Sequence, residues 1–178
     1  SAQGFAEDGI AEYLLAALSA QEECGSPKQA MAAGEAAVAL ADRVGSGNPA
    51  IMPTAMTIAA SALFRGQKFN RACTVIGDHA DLLAEPQQLL DYGLGNYLLL
   101  AAECPLVSNG KAVPMGKAMQ LATLYIDNVG KGGDPELLAT AYLVRGSMRA
   151  QSGKAGARSD IEKAAALGDQ TAIDLLKG

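Results

Sequence analysis

The sequence predicts an all-α protein built as a stack of helix-turn-helix units, and three observations carry that expectation. Alanine dominates a 178-residue chain in which aromatics make up 4% and Trp is absent, so the interior must come from thin helices approaching closely. No window shows sustained alternation of apolar and polar residues, the pattern of a half-buried strand. Gly25, Gly66, Gly110 and Gly153 fall at separations of 41, 44 and 43 residues, the spacing of one supersecondary unit repeated.

Cutting the chain at its Gly and Pro residues leaves segments of about 15 to 20 residues with apolar positions at i, i+3, i+4 and i+7. Helices are expected over 7–24, 27–44, 49–65, 68–84, 86–104, 111–129, 134–152 and 154–167, with a short cap over 169–177. Ser26 before Pro27, Asn48 before Pro49, Glu85 before Pro86 and Asp134 before Pro135 each place a capping residue or an acid ahead of a proline. That proline opens the helix, where its missing N–H would be unpaired anyway. Paired in order, the helices give four units over about 7–45, 49–84, 86–130 and 134–168, closed by a cap over 169–178, in a single domain. A lone hairpin cannot bury its apolar face, so neighbouring units must stack into an array with a concave and a convex side.

The clearest unit lies around RGSMRAQSGKAGARSDIEKAAALGD, Arg145 to Asp169. Tyr142, Gly146, Gly153, Ala157, Ala164 and Leu167 supply a large residue, a small residue, a turn glycine, two small packing positions and a closing apolar residue. This spacing resembles a tetratricopeptide repeat, and the closing EKAAALGDQTAIDLL is similar to the Sel1-like branch of the same superfamily. Ala59, Gly66 and Ala72 echo the pattern in the second unit, and Leu94, Gly95 and Asn96 resemble the Leu-Gly-Asn step of the family in the third. The chain departs from the pattern at Arg145 and Arg149, which stand where the family usually carries an apolar and an aromatic residue. The resemblance implies a right-handed α-solenoid that binds a peptide or protein, without catalysis, on a concave face lined by the first helix of each unit. It places Asn96 on that face, with Tyr92 one turn earlier as a rigid apolar neighbour. Arg145 and Arg149, at i and i+4, are a basic pair able to hold a carboxylate. The competing reading makes Tyr92 a core residue, Asn96 a surface amide and the two arginines a solvated face.

Charge narrows the partners. Residues 1–45 carry seven acids, Glu7, Asp8, Glu12, Glu22, Glu23, Glu35 and Asp42, against Lys28 and Arg43, while the remainder is balanced at twelve of each sign. An acidic chain without a basic stripe repels phosphate backbones, which argues against nucleic acid. The acidic quarter reads as a solubilising face or as a docking surface for a basic partner. No apolar run approaches the length of a membrane span, so no membrane insertion is expected. The apolar helix Ile51 to Leu63 makes a homodimer plausible if its neighbours leave it uncovered.

No motif argues for catalysis. Gly130-Lys131-Gly132-Gly133 lacks the first glycine and the Ser or Thr of a phosphate loop, and Gly93-Leu94-Gly95 lacks a preceding strand and a third glycine. His79, with Asp78, Asp81 and Glu85 nearby, is a lone imidazole and a poor metal set. No catalytic residue, metal or other cofactor is therefore expected. The expected function is a protein-protein interaction module, a scaffold or adaptor, with a small-molecule or cell-wall-fragment binding protein and an accessory subunit of an enzyme complex as alternatives. The opening SAQGF, without Met, fits a mature end after signal-peptide cleavage, hence a periplasmic or secreted protein of a bacterial envelope, with a cytoplasmic one as the alternative.

In an exported chain, Cys73 and Cys104 fall at the same edge of the expected array, on helices that should be neighbours. A bridge between them would close a loop of about 30 residues and stabilise by roughly 3–4 kcal/mol in the chain-entropy model. Peptide mapping without reductant is expected to return Cys73 linked to Cys104, leaving Cys24 open to alkylation. Recovery of all three thiols in alkylated form would rule the bridge out.

Overall fold

A computed structural model describes residues 14–44, 51–108, 112–129 and 134–178, and among them every regular element is a helix. The protein is all-α, as its sequence predicts. The chain divides into two compact units, Ser1–His79 and Ala80–Gly178.

The first unit holds α1 (14–24), α2 (Pro27–Val44), α3 (Ile51–Arg65) and α4 (Phe69–Asp78). A capping box opens α2. Ser26 Oγ accepts from the Gln29 N–H at 3.4 Å, while Gln29 Oε1 accepts from the Ser26 N–H at 2.9 Å. Helix α2 buries an alanine stripe, Ala30, Ala33, Ala37 and Ala41, and packs extensively on α3. At the crossing, a Cβ on Gly34 would fall 2.7 Å from the Ala62 Cβ, so no side chain fits there. Every residue of α3 from Ile51 to Leu63 is buried except Thr54, Thr57 and Ser61, which are partly so. The exposed apolar helix that would motivate a homodimer is therefore covered within the chain. Phe64 and Phe69 meet edge to face at 5.6 Å across the turn into α4.

The second unit runs from a 3₁₀ turn (Ala80–Leu83) through α5 (Pro86–Asp91), α6 (Gly95–Val107), α7 (Met115–Val129), α8 (Pro135–Gln151), α9 (Ala157–Ala166) and α10 (Gln170–Lys177). Helices α6, α7 and α8 all pack on one another, and α9 joins α8 to α10. Their core is Leu99, Tyr125, Ile126, Leu138 and Ala141, with Leu90 and Tyr142 at its margin. Glycine again permits the close approaches. A Cβ on Gly95 would lie 2.7 Å from the Tyr125 ring, and one on Gly146 would lie 3.0 Å from Ile161 and 3.1 Å from Asp160.

Among the described residues, four helices end in the same hydrogen-bonded motif. In α5 the Leu94 N–H donates to Leu89 O at 2.7 Å and the Gly93 N–H to Leu90 O at 2.9 Å. Equivalent pairs close α3 at Gln67, α8 at Gly153 and α9 at Gly168. The motif needs a left-handed residue, and φ is +74° at Gly93, +62° at Gly153, +96° at Gly168 and +56° at Gln67.

That motif corrects the expected helix over 86–104, which is two helices broken at Gly93. The helix expected over 68–84 likewise ends at Asp78, with the 3₁₀ turn following. The helix expected from residue 154 begins only at Ala157, after Gly156 at φ +84°. Asp134 caps α8 as expected, accepting from the Glu136 N–H at 2.9 Å. Glu85 does not cap α5; its carboxylate accepts from the Gln88 side chain instead. Asn48, Pro49 and Gly110 lie outside the described residues.

Candidate functional site

Helix α7 carries Gly116, Met119, Gln120, Thr123, Leu124 and Asp127 at three- and four-residue intervals, which sets them along one face. Together with Lys154, from the turn between α8 and α9, they line an open groove of about 500 Å³. From Gly116 to Asp127 the groove follows roughly 16 Å of helix axis. Met119 and Leu124 give it apolar floor, Gln120 and Thr123 give it amide and hydroxyl groups, and Lys154 and Asp127 give it opposite charges. The Lys154 ammonium rests 3.8 Å from the Met119 sulfur.

Behind the groove sits a buried ionic cluster. Asp160, 1% exposed on α9, receives two hydrogen bonds from Arg145, Nε to Oδ2 at 2.8 Å and Nη2 to Oδ1 at 2.7 Å. Arg149 adds a third, Nη1 to Oδ2 at 2.7 Å. The bidentate contact with Asp160 raises the Arg145 guanidinium above its ordinary value. The remaining positive charge faces the Tyr142 ring, with Arg145 Cζ 5.5 Å and Lys163 Nζ 5.2 Å from its centroid. Arg145 Nη1 also donates to Thr123 Oγ1 at 3.4 Å, so the cluster fixes one wall of the groove.

The expected basic pair thus does hold a carboxylate, and that carboxylate belongs to the chain itself. Sequence reasoning missed Asp160. A signal for it existed: two arginines stand where the family pattern has apolar and aromatic residues, and they need a buried counter-ion close by. Tyr92 and Asn96 are not one turn apart on one helix, because Gly93 breaks the chain between α5 and α6. Tyr92 is 58% exposed at the end of α5, Asn96 is partly buried in the first turn of α6, and neither lines the groove. No sequence signal marked Gln120, Thr123, Asp127 or Lys154, since a polar stripe on a helix reads as an ordinary solvated face.

In the first unit one acid is buried against a basic partner and two meet theirs at the surface. Glu22 pairs with Arg65 at 3.2 Å, and Arg65 also donates to the Glu22 carbonyl oxygen at the end of α1. Glu35 pairs with Arg71 at 3.2 Å, and Asp42 lies 3.7 Å from His79 Nε2. Burial is the main influence on the Glu22 carboxyl and pushes it above its ordinary value. A smaller depression of about 160 Å³ opens where Gly25, Pro27, Ala30, Arg65 and Gly66 meet. His79 Nδ1 is 3.0 Å from the Val75 carbonyl, which accepts its proton. Among the described residues no three His, Cys, Asp or Glu side chains gather to hold a metal ion, and no helix is long and apolar enough to cross a membrane. Cys24 is a free, exposed cysteine, whereas Cys73 and Cys104 are each 1% exposed. The Gly130 to Gly133 loop lies outside the described residues.

Two polar groups of α6, one buried and one partly buried, stand apart from these sites. The Tyr97 hydroxyl is buried with no hydrogen-bond partner, and its burial pushes the phenol well above its ordinary value. Burial also pushes the Glu103 carboxyl up to about 7.

Compared with protein-family models, curated proteins and solved structures, the chain has no match.

Two outcomes follow from these energetics. Asp160→Ala, which strands a buried guanidinium, is expected to destabilise by about 3–5 kcal/mol in urea denaturation, against about 1 kcal/mol for Arg149→Ala. Equal losses for the two would show that Arg145 does not depend on Asp160. For Glu103 the folded value of about 7 lies above the ordinary 4.5, so the folded chain holds a proton that the unfolded chain releases between them. The stability contributed by protonated Glu103 is full below 4.5 and is lost as pH rises through about 7. Glu103→Gln, which keeps the neutral shape, is expected to stabilise by about 1–3 kcal/mol near pH 8 and to be close to neutral near pH 4. Denaturation at both pH values reads this, and a gain independent of pH would contradict it.

Proposed function

We propose that this chain is a non-catalytic interaction module of the tetratricopeptide or Sel1-like kind, its helical hairpins serving as repeats of an α-solenoid, and that it docks a protein segment along α7, the second helix of its hairpin rather than the first helix that the resemblance implies. The supporting observation is the shape and lining of the groove. A small-molecule site is ordinarily concave, enclosed and mostly apolar, with a few convergent polar groups. The α7 groove is open and long, and its polar groups are spread along it rather than converging. That arrangement suits a partner that runs past several side chains and exchanges backbone or side-chain hydrogen bonds with each. The ionic cluster supports the same role by holding Thr123 from behind, which lowers the ordering cost of binding.

The acidic first quarter has no docking role in this reading. Glu22 and Glu35 pair with arginines of their own unit and Asp42 lies beside His79, so three of these acids already face partners within the chain.

The test is photocrosslinking from within the groove. With p-benzoylphenylalanine at Gln120, irradiation in a lysate of the source cells is expected to attach one discrete protein. The same label at the exposed Gln87 of α5 is expected to attach none. Identical adducts from both positions, or none from Gln120, would remove the groove as the docking site.

A further inference from the structure

Resting on that docking reading, we infer the chemistry of the segment that the groove takes: an extended polypeptide with an acidic residue, an apolar residue and a basic residue at alternate positions, acid-x-apolar-x-base in either chain direction. Charge complementarity is the first argument. Lys154 and Asp127 make no ion pair among the described residues, Asp127 meeting the charge of Arg145 only at longer range. Lys154 lies beside Met119, eight residues before Asp127 on α7, so the two charges are about 12 Å apart along the axis. An extended chain advances about 3.3 Å per residue and points alternate side chains to the same face. Positions i and i+4 of a strand therefore span about 13 Å, and both face the groove together with i+2.

The lining between the charges decides against a helical occupant. Gln120 and Thr123 stand there with donors and acceptors. A bound helix has already paired its own backbone groups and would bury the Gln120 amide without a backbone partner, whereas Thr123 keeps its bond from Arg145. An extended segment brings free N–H and C=O groups to them. The i+2 side chain then falls midway between the charges, near Leu124, which offers it apolar contact.

The probes are two peptides, acetyl-Glu-Ser-Leu-Ser-Lys-amide and its reverse, acetyl-Lys-Ser-Leu-Ser-Glu-amide, with a control bearing Gln at both ends. They are titrated into the full ¹⁵N-labelled chain and followed by amide shifts. The expected result is that one charged peptide binds more tightly than the control and moves α7 and Lys154 signals. Lys154→Glu or Asp127→Lys alone is expected to weaken it about five-fold, and the double exchange to invert the preference between the two peptides. Binding of all three peptides alike, no binding by any, or a preference unchanged by the double exchange would overturn the inference. The docking reading is separated by the Gln120 crosslinker in the Lys154→Glu, Asp127→Lys background. An adduct undiminished there means that the groove docks a partner by other chemistry, while no adduct in either background means that the groove docks nothing.

Discussion

Helices in this chain meet where one of them has no side chain to offer. Gly34 against Ala62, Gly95 against the Tyr125 ring and Gly146 against Ile161 are each too close for a Cβ to fit without displacement. With so few aromatics, the chain cannot fill wide gaps between helices, so the backbones must come together instead. The alanine stripe of α2 and the burial of α3 on nearly every side follow from that constraint. So does the sharpness of the turns: a helix that must pack closely on its successor has to stop and reverse within a few residues. Among the described residues, four helices stop with one motif that demands a left-handed residue.

Close packing at Gly146 also creates the conditions for the ionic cluster. With no side chain there, α9 approaches α8 closely enough for Asp160 to reach two arginines one turn apart. A carboxylate 1% exposed would be untenable alone, and Arg145 at 7% exposure equally so, but each satisfies the other in bidentate geometry. The excess positive charge is spread over Tyr142, and the outermost guanidinium nitrogen of Arg145 is left to hold Thr123. A packing necessity between α8 and α9 thereby stiffens a surface of α7.

How much of this could be read in advance depends on the range of the forces involved. Capping and turn chemistry act over three to five residues, so the starts at Ser26 and Asp134 were legible. The stop at Gly93 is equally local, but apolar residues continue on both sides of it, and periodicity alone hides the break. The pairing of Arg145 and Arg149 on one face was also visible. Their partner fifteen residues on was not, because only the fold brings Asp160 beneath them. Tyr92 and Asn96 were misplaced relative to each other for a related reason. One left-handed residue rotates everything after it, and spacing along an assumed helix carries no information about that rotation.

The sequence alone determined the all-α class and most helix positions, because alanine content, periodicity and capping residues are properties of neighbouring positions. It also determined that close approach would be the mode of packing. Only the tertiary structure decided which polar residues became a site. Arg145 and Arg149, candidates for binding, became internal supports, whereas Gln120, Thr123, Asp127 and Lys154, ordinary surface residues in the sequence, became the lining of a groove. The physical reason is that solvation is set by neighbours in space: the same residue type is a ligand-facing group or a buried counter-ion according to what the fold lays against it.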